Sequence, residues 1–201
     1  MTSEPRDVRI CFFGDSLTNG VQDSTYMGWT GRLCAALPLQ VTHYNLGVRG
    51  HTALDIERRW EAESSQRWKP GTERRLVFTF GTNDCSLESG VPRLPLAESV
   101  ASAERILAQA IACCPVLFIG PPALELEDHA SAFARLGELS KAYARLAERL
   151  EVPYFDLFEH TRASSDWFGA VQRGDGIHPE HTGYALWANM IATWDAWRAW
   201  W

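Results

Sequence analysis

The sequence predicts an α/β fold in which a mostly parallel sheet lies between layers of helices. Five short apolar runs alternate along the chain with longer segments whose apolar residues recur at helical spacing. Four of the five runs lead into a glycine, which allows a tight turn after a buried strand. Because strands and helices alternate, we expect a doubly wound sandwich.

The predicted strands are rich in β-branched and aromatic residues and are bounded by glycine or proline. They cover residues 8–13, 40–45, 76–80, 116–119 and 152–157. The predicted helices begin near Trp29, Thr52, Val100, Phe133 and His181. The second of them extends to Trp68, with Thr52 as its expected N-cap. No internal repeat, low-complexity tract or linker interrupts the pattern, so we expect one domain over residues 1–201.

The composition is typical of a soluble globular protein, with 46% apolar and 22% charged residues. The net charge of −6 and the lack of a basic run argue against nucleic-acid binding, which uses clustered cations to neutralise phosphates. The pairs Arg58-Arg59 and Arg74-Arg75 are expected to be solvated ends of elements. No stretch approaches about 18 consecutive apolar residues, so no membrane span is expected.

The five cysteines favour a reducing compartment. Their odd number, with Cys113 and Cys114 adjacent, is not typical of a disulfide framework. The first ten residues lack an apolar stretch after a basic start, so no signal peptide is expected. We therefore expect a cytoplasmic protein, and an exported form that has lost its leader is left open as the alternative.

A serine follows the first predicted strand, in Gly14-Asp15-Ser16-Leu17. On a tight turn between strand and helix its hydroxyl lies above the edge of the sheet, and N–H groups at the helix start face developing negative charge. The alternative is a helix cap without a catalytic role. The chain has no G-x-S-x-G, the nucleophile elbow of α/β-hydrolases.

Three further turns contribute candidate residues. The segment Asn45 to Gly50 offers glycine N–H groups that can approach an oxyanion closely, and Gly81 to Asp84 offers a side-chain amide. Each of these is an ordinary turn sequence when taken alone. Asp175 stands three residues before His178 and can fix its tautomer for proton transfer. Together the four signals supply the nucleophile, base, orienting carboxylate and oxyanion donors that acyl transfer requires.

In these four motifs and in their order, the sequence resembles the SGNH hydrolases, also called GDSL esterases and lipases. The resemblance implies Ser16 as the nucleophile, His178 as general base and acid, and Asp175 as the residue that orients His178. It also implies an oxyanion hole formed by the backbone N–H groups of Ser16 and Gly50 and the side chain of Asn83. The implied fold is a flavodoxin-like, three-layer α/β/α sandwich with a five-stranded, mostly parallel sheet, which agrees with the five predicted strands.

The expected activity is that of a serine esterase, a carboxylic ester hydrolase that cleaves small to medium acyl esters through an acyl-enzyme intermediate. Thioesterases, lysophospholipases and acyltransferases use the same triad and are the alternatives. The expected ligand is a small-molecule ester, with no cofactor. No metal is expected either, since His178 and His181 lie three apart without an evident third or fourth ligand.

Asp15 and Asp84 lie beside the candidate nucleophile and the candidate amide donor, and we expect each to fix the loop that carries it. Arg49 and His51 flank the oxyanion glycine, and either a substrate contact or a structural role fits them. The C-terminal helix carries a stripe expected to pack on the domain, formed by Trp187, Met190, Trp194, Trp197 and Trp201. The alternative is that the terminal tryptophan pair forms a homo-oligomer interface, since interfaces favour aromatic residues.

Three segments that follow strands are expected to line the substrate pocket, over residues 85–96, 123–130 and 159–174. None has the continuous apolar face that a long acyl chain needs, so we expect a preference for short acyl groups. Trp167 and Phe168 are the exception, because an aromatic pair could wall an acyl or aryl slot.

Overall fold

The computed structural model describes residues 6–37, 41–126 and 130–201. Its strands within these ranges are β1 (Val8–Gly14), β2 (Val41–Gly47), β3 (Glu73–Thr79), β4 (Leu87–Glu88), β5 (Val91–Pro92), β6 (Val116–Ile119) and β7 (Tyr154–Phe155). Five of them form one sheet in the order β2-β1-β3-β6-β7, and every neighbouring pair in it is parallel. The other two, β4 and β5, form a small antiparallel hairpin that the sequence did not predict.

Helices connect the strands and cover the sheet. In the described part of the chain they are α1 (Ser16–Asn19), α2 (Gly28–Ala35), α3 (Ala53–Glu57), α4 (Trp60–Ser65), α5 (Thr82–Cys85), α6 (Leu96–Ile111), α7 (Ala130–Arg149), α8 (Leu157–Thr161), α9 (Ser165–Arg173), α10 (His181–Ala192) and α11 (Asp195–Arg198).

Successive side chains of a central strand point to opposite faces of the sheet. Phe12 packs edge-on against Trp29 of α2, with ring centroids 5.4 Å apart, on the face that α10 and α11 also cover. Phe13 stacks on Phe78, which packs against Trp60 of α4 on the other face, where α3, α6 and α7 complete the layer. The protein is therefore a three-layer α/β/α sandwich, as predicted.

Parallel pairing brings the carboxyl ends of the strands to one edge of the sheet. Gly14 at the end of β1 pairs with Gly47 at the end of β2, and Phe13 pairs with Phe78 one residue before β3 ends. The turns after β1, β2 and β3 therefore leave the sheet side by side. In open α/β sheets this is the edge where ligands bind.

Two predicted elements differ in extent from the structure. The helix predicted over 52–68 is divided into α3 and α4, because the backbone leaves helical geometry at Arg59 (φ −123°). Thr52 is the N-cap, as predicted. The strand predicted over 152–157 pairs only over Tyr154–Phe155, since the next residue already caps α8.

The second strand also differs slightly from its predicted bounds. In the strand predicted over 40–45, residue 40 lies outside the described residues, and β2 continues to Gly47. The segment 159–174, expected to line the pocket and given no helix in the prediction, contains the end of α8 and all of α9. Its helical spacing was hidden by polar residues, and the cap Ser164, which accepts the N–H of Trp167, was overlooked.

The C-terminal segment forms two helices, α10 and α11, instead of the one predicted. The helix is interrupted because the backbone is extended at Trp194 (ψ 127°). Trp187 of α10 and Trp197 of α11 are buried against the domain, in agreement with the predicted stripe. The terminal pair, Trp200 and Trp201, packs on Trp197 with centroids 5.8 and 5.0 Å away. A homo-oligomer through these side chains stays a prediction.

Within residues 6–37, 41–126 and 130–201, no helix has both the length and the apolarity needed to cross a bilayer. All five cysteines lie in these ranges and are free thiols. The cytoplasmic location stays a prediction.

A pair of stacked tryptophans joins α2 to α10. The rings of Trp29 and Trp187 are nearly parallel (6°), with centroids 5.0 Å apart, and both side chains are buried. Trp187 also packs edge-on against Trp167 of α9. Because α10 begins three residues after His178, this contact helps to fix the chain that carries the candidate base.

We expect Trp187→Ala to lower the free energy of unfolding by about 3–5 kcal/mol, the usual cost of truncating a large buried aromatic side chain. Urea denaturation followed by circular dichroism measures the change. Ile111→Ala is the control, because Ile111 is exposed at the end of α6 and its truncation should cost about 0.5 kcal/mol or less. Equal losses in the two variants would contradict the packing role of Trp187.

Candidate active site

Ser16 is the first residue of α1, directly after β1 and its flanking aspartate. Asp15 caps this short helix, since its Oδ1 accepts the N–H of Leu17 at 2.9 Å. Gly14 has no space for a side chain, because a Cβ there would lie 2.0 Å from Thr18 Oγ1. The tight turn leaves the serine at the carboxyl edge of the sheet with 8% of its surface exposed.

The turn after β2 packs closely against the turn that carries the serine. Asn45 donates from Nδ2 to the carbonyl of Thr18 at 2.8 Å and accepts the N–H of Gly47 at 3.0 Å. A Cβ on Gly47 would lie 2.2 Å from the backbone nitrogen of Asn19, so glycine is required for this approach. Asn45 and Gly47 therefore hold the two turns together.

Gly50 and Asn83 lie at the same edge. Gly50 has a left-handed backbone (φ 77°), which suits glycine. Asn83 Nδ2 donates to Asp15 Oδ2 at 3.2 Å and to the carbonyl of His51 at 3.0 Å. One side-chain amide therefore joins the residue before Ser16 to the residue after Gly50.

The three predicted oxyanion donors differ in how free they are. The backbone N–H groups of Ser16 and Gly50 have no acceptor among the described residues. The two Nδ2 protons of Asn83, in contrast, both face acceptors. The N–H groups of Ser16 and Gly50 can therefore bind an anion directly. Asn83 can do so only if one of its N–H groups leaves its present acceptor or is shared between two acceptors.

His178 lies between Ser16 and Asp175. Ser16 Oγ is 2.7 Å from His178 Nε2, and Asp175 Oδ2 is 2.8 Å from His178 Nδ1. Asp175 Oδ1 also accepts the backbone N–H groups of Ile177 at 3.1 Å and His178 at 2.7 Å. The structure therefore brings the three predicted triad residues, which are up to 162 positions apart, into one hydrogen-bonded chain.

The carboxylate of Asp175 is ionised over the ordinary pH range. Burial raises its pKa, but hydrogen bonds from the backbone and the ring of His178 outweigh burial and bring the pKa to about 2. A carboxylate can only accept hydrogen bonds, so Nδ1 of His178 carries the proton and Nε2 accepts from the Ser16 hydroxyl. In this arrangement a histidine can remove the serine proton.

Two buried aspartates connect the turns beneath the site. Burial raises the pKa of Asp15 to about 7, although the hydrogen bond from the Leu17 N–H opposes this. Asp84 accepts the N–H of Ala53 at 2.9 Å, and burial raises its pKa as well. Asp15 thus holds Asn83, and Asp84 ties the turn after β3 to the start of α3. Both contacts are of the loop-fixing kind predicted for these residues.

Arg59 spans the ends of β1 and β2. Its Nη2 donates to the carbonyls of Gly14 at 3.0 Å and Leu46 at 2.8 Å. Its Nε donates to His51 Nδ1 at 3.1 Å, and its Nη1 pairs with Glu63 Oε1 at 3.1 Å. A single guanidinium thus holds together the turns that carry the candidate nucleophile and the candidate glycine donor.

The sequence prediction that Arg58-Arg59 is a solvated end is wrong for Arg59. Its side chain is 13% exposed, whereas that of Arg58 is 68% exposed. A signal was available, because Arg59 lies three residues after Ile56 and next to Trp60, both of them buried apolar positions of the helical pattern. Motif matching missed it because Arg59 belongs to none of the four motifs.

The side chains around Gly50, those of Arg49, His51 and Arg93, differ in their exposure and contacts. The ring of His51 accepts from Arg59, and burial together with that guanidinium lowers the pKa of His51, so its contacts here are structural. Arg49 is exposed. Arg93, which follows the β4–β5 hairpin, donates to the carbonyl of Gly50 at 2.9 Å.

His181, considered above as a metal ligand, instead lies against Glu180, with Nδ1 2.5 Å from Oε2. In the part of the chain that the structure describes, no group of three or more His, Cys, Asp or Glu side chains is placed to hold a metal ion. Independence from metal stays a prediction.

The segments predicted to line the pocket differ in character. Residues 85–96 include the β4–β5 hairpin and border an apolar cavity of about 160 Å³, with Leu94 and Leu139 in its lining. Trp167 is fully buried and donates from Nε1 to the carbonyl of Ala123 at 2.7 Å, so it cannot wall an open slot. Of the segment 123–130, residues 127–129 lie outside the described residues.

Comparison with known families gives one match. The GDSL-like lipase/acylhydrolase family matches the chain over residues 12–186, a span that includes Ser16, Gly50, Asn83 and the segment from Asp175 to His178. A search of curated proteins found no match.

Solved structures of similar fold cover nearly the whole chain. A variant of an acetyl-xylooligosaccharide esterase from Geobacillus stearothermophilus is 16% identical, with a TM-score of 0.76 over 96% of this chain and 97% of that one. The lipase/acylhydrolase from Enterococcus faecalis is 23% identical, with a TM-score of 0.75 over 94% and 96%. A member of the lipolytic G-D-S-L family from Veillonella parvula is 20% identical, with a TM-score of 0.72 over 90% and 94%. These likenesses confirm the predicted fold.

We expect Arg59→Gln to slow the reaction of Ser16 with a fluorophosphonate probe by about ten- to a hundredfold, because misplacing the turns by about 1 Å costs this much. Arg59→Lys should recover only part of the rate, since an ammonium group lacks the planar fork that reaches several acceptors. Mass spectrometry of the labelled protein against time measures the rate.

The matched control is Arg58→Gln, which removes the exposed neighbouring guanidinium and should leave the labelling rate unchanged. Circular dichroism verifies that all variants are folded at the labelling temperature. A folded Arg59→Gln variant that reacts at the wild-type rate would contradict the role assigned to Arg59.

Proposed function

Because this chain belongs to the GDSL-like lipase/acylhydrolase family, we propose that it is a serine esterase that cleaves small to medium acyl esters through an acyl-enzyme intermediate. Family membership makes it an acylhydrolase that acts on esters. The nucleophile, the triad and the size of the acyl group are the proposal. The observation that supports it most directly is the chain of contacts from Asp175 through His178 to Ser16, 2.8 and 2.7 Å long.

In the proposed first step, His178 Nε2 takes the proton of the Ser16 hydroxyl while Oγ attacks the carbonyl carbon of the ester. The ionised carboxylate of Asp175 stabilises the imidazolium that results. The tetrahedral intermediate then collapses, the bond from the acyl carbon to the alcohol oxygen breaks, and the imidazolium donates its proton to that oxygen, which leaves the acyl group on Ser16 Oγ. The alcohol therefore leaves on the side of the site where His178 lies.

In the second step, His178 takes a proton from a water molecule, and the water oxygen attacks the acyl-enzyme carbonyl. The tetrahedral intermediate collapses, the bond from the acyl carbon to Ser16 Oγ breaks, and the imidazolium returns the proton to Oγ. The products are the carboxylic acid and the free serine. An acyltransferase would differ only in that an alcohol takes the place of the water.

Both steps place negative charge on the carbonyl oxygen, and donors must stabilise it. We assign this role to the N–H groups of Ser16 and Gly50, which are free of other acceptors in the described residues. Asn83 is the third donor. Asn83 now donates one N–H to the His51 carbonyl. We expect an oxyanion to compete well for this N–H, since charged acceptors form stronger hydrogen bonds than neutral ones.

We propose a short acyl group because none of the segments expected to line the pocket has the continuous apolar face that a long acyl chain needs. Trp167, one of the two aromatic residues considered for the wall of an acyl slot, is buried in the core. The cavity behind the β4–β5 hairpin includes neither Ser16 nor His178 in its lining. Each methylene gains roughly 0.8 kcal/mol only when it is buried, so longer chains gain little here. Acetylated sugars, the kind of substrate in the name of the Geobacillus esterase, fall within the proposed range.

We expect Ser16→Ala to lower kcat on a short-chain ester by about a thousandfold or more, as is usual when a triad nucleophile is removed. The control is Cys85→Ala. Burial raises the pKa of the Cys85 thiol to about 12, so it should be unreactive, and its removal should leave kcat nearly unchanged. Steady-state hydrolysis of para-nitrophenyl acetate by the folded variants measures both. Residual activity of Ser16→Ala within about tenfold of wild type would refute the assignment.

We expect kcat/KM to be highest for acyl groups from acetyl to about butyryl or hexanoyl and to fall for longer chains, because extra methylenes stay in water. The measurement is a series of para-nitrophenyl esters from acetate to dodecanoate, each below its micelle concentration. If kcat/KM kept rising to dodecanoate, the proposed preference for short acyl groups would be wrong and the protein would be a lipase.

A further inference from the structure

The loop that joins α1 to α2 is closed and tightly held. At its base Gly20 and Gly28 are in contact, since a Cβ on Gly20 would lie 2.8 Å from the Cα of Gly28. Inside it, the buried carboxylate of Asp23 accepts the N–H groups of Thr25 at 3.0 Å and Gly28 at 2.7 Å. The same carboxylate forms an ion pair with Arg32. These contacts fix the path of the loop from both ends and from within.

The α1–α2 loop borders the candidate triad. Gln22 donates from Nε2 to Asp175 Oδ2 at 3.4 Å. Tyr184 Oη donates to the carbonyl of Val21 at 2.7 Å, which attaches the loop to α10. The loop therefore borders the triad at Asp175.

This fixed loop presents an aromatic ring to solvent. Tyr26 is 92% exposed, more than any other large apolar side chain of the described residues. Its backbone lies in the left-handed region (φ 59°), as does that of Gln22 (φ 69°), and few non-glycine residues adopt that region. Such strain persists only where the surroundings enforce it, and it is found preferentially at ligand-binding sites. A ring so exposed contributes little to the core.

We propose that Tyr26 is a specificity-determining residue that stacks on a ring in the alcohol portion of the ester substrate. This inference rests on the proposed function, in which the alcohol receives its proton from His178 and so projects toward the α1–α2 loop. The acyl portion lies on the other side of the scissile bond. The class of substrate is therefore an ester of a short acid with an aromatic or cyclic alcohol.

Hydrogen bonds place Tyr26 on a turn next to the residue that contacts the triad. The backbone N–H of Tyr26 donates to the carbonyl of Asp23 at 3.0 Å, which closes a turn over residues 23–26. This turn begins directly after Gln22, whose side chain contacts Asp175. The ring is therefore carried by the part of the loop that borders the triad.

Rigidity makes the ring an effective contact. An aromatic side chain offers a large flat face with only two rotatable bonds, so stacking costs little conformational entropy. The hydrogen bonds of Asp23 fix the backbone of the loop before substrate arrives, which further reduces that cost. A small open-chain alcohol has no flat face and gains little from the same ring.

The test compares two variants of Tyr26 on three acetates. Tyr26→Asn removes the ring, and asparagine tolerates the left-handed backbone, so the loop keeps its path. Tyr26→Phe keeps the ring. For phenyl acetate and cyclohexyl acetate, we expect Tyr26→Asn to lose about three- to tenfold in kcat/KM, mainly through KM, while ethyl acetate changes by less than about twofold. Tyr26→Phe should retain the wild-type ratios.

Ile111→Asn is the control, because it removes an exposed apolar side chain at the end of α6, outside both the α1–α2 loop and the segments expected to line the pocket. It should leave the ratio of ring to open-chain esters unchanged. Equal losses of Tyr26→Asn on all three acetates, or no loss on the ring esters, would overturn the role of Tyr26. A wild-type protein that hydrolyses none of the three, with Ser16 unreactive toward fluorophosphonate, would overturn the proposed function instead.

Discussion

The candidate site depends first on the parallel pairing of β1 with β2. Their final residues, Gly14 and Gly47, are partners in the register, and neither has space for a Cβ, so the two following turns pack in direct contact. The N–H of Val48 donates to the carbonyl of Gly14 at 3.1 Å, which joins the two turns through the backbone. Arg59 adds a second connection, because its guanidinium binds the carbonyls of Gly14 and Leu46 at once. Backbone pairing and this side chain together hold the two turns side by side.

The pKa of each aspartate at this edge of the sheet depends on its hydrogen-bond partners. Asp23, Asp15 and Asp84 are all buried, yet burial is outweighed only at Asp23, where the hydrogen bonds of Arg32 and the loop lower the pKa. Asp15 and Asp84 are held by neutral donors, and burial raises the pKa of each. Asp175, at the rim and bonded to its own loop, stays ionised. Negative charge is thus concentrated where an imidazolium would need it.

The triad and the rim of the site share a side chain. Asp175 contacts the ring of His178 and also accepts from Gln22 of the α1–α2 loop. In the proposed mechanism the first contact serves proton transfer, and the loop that makes the second presents Tyr26 to the departing alcohol. The same set of backbone turns would then both position His178 and bind the alcohol portion of the substrate. A chain of 201 residues would need no separate domain for substrate binding.

From the sequence followed the fold class, the strands that build the sheet, and the residues Ser16, Asp175 and His178 that meet in it, because apolar periodicity and ordered motifs are local properties of the chain. Other features depended on folding. Arg59 was predicted to be solvated and instead holds two strand ends. Trp167, considered with Phe168 as a possible wall of an acyl slot, is buried in the core. The physical reason is that the surroundings of a side chain are set by segments distant in the sequence. A local pattern can identify a strand or a nucleophile, but it does not specify which carbonyl a guanidinium will reach across the sheet.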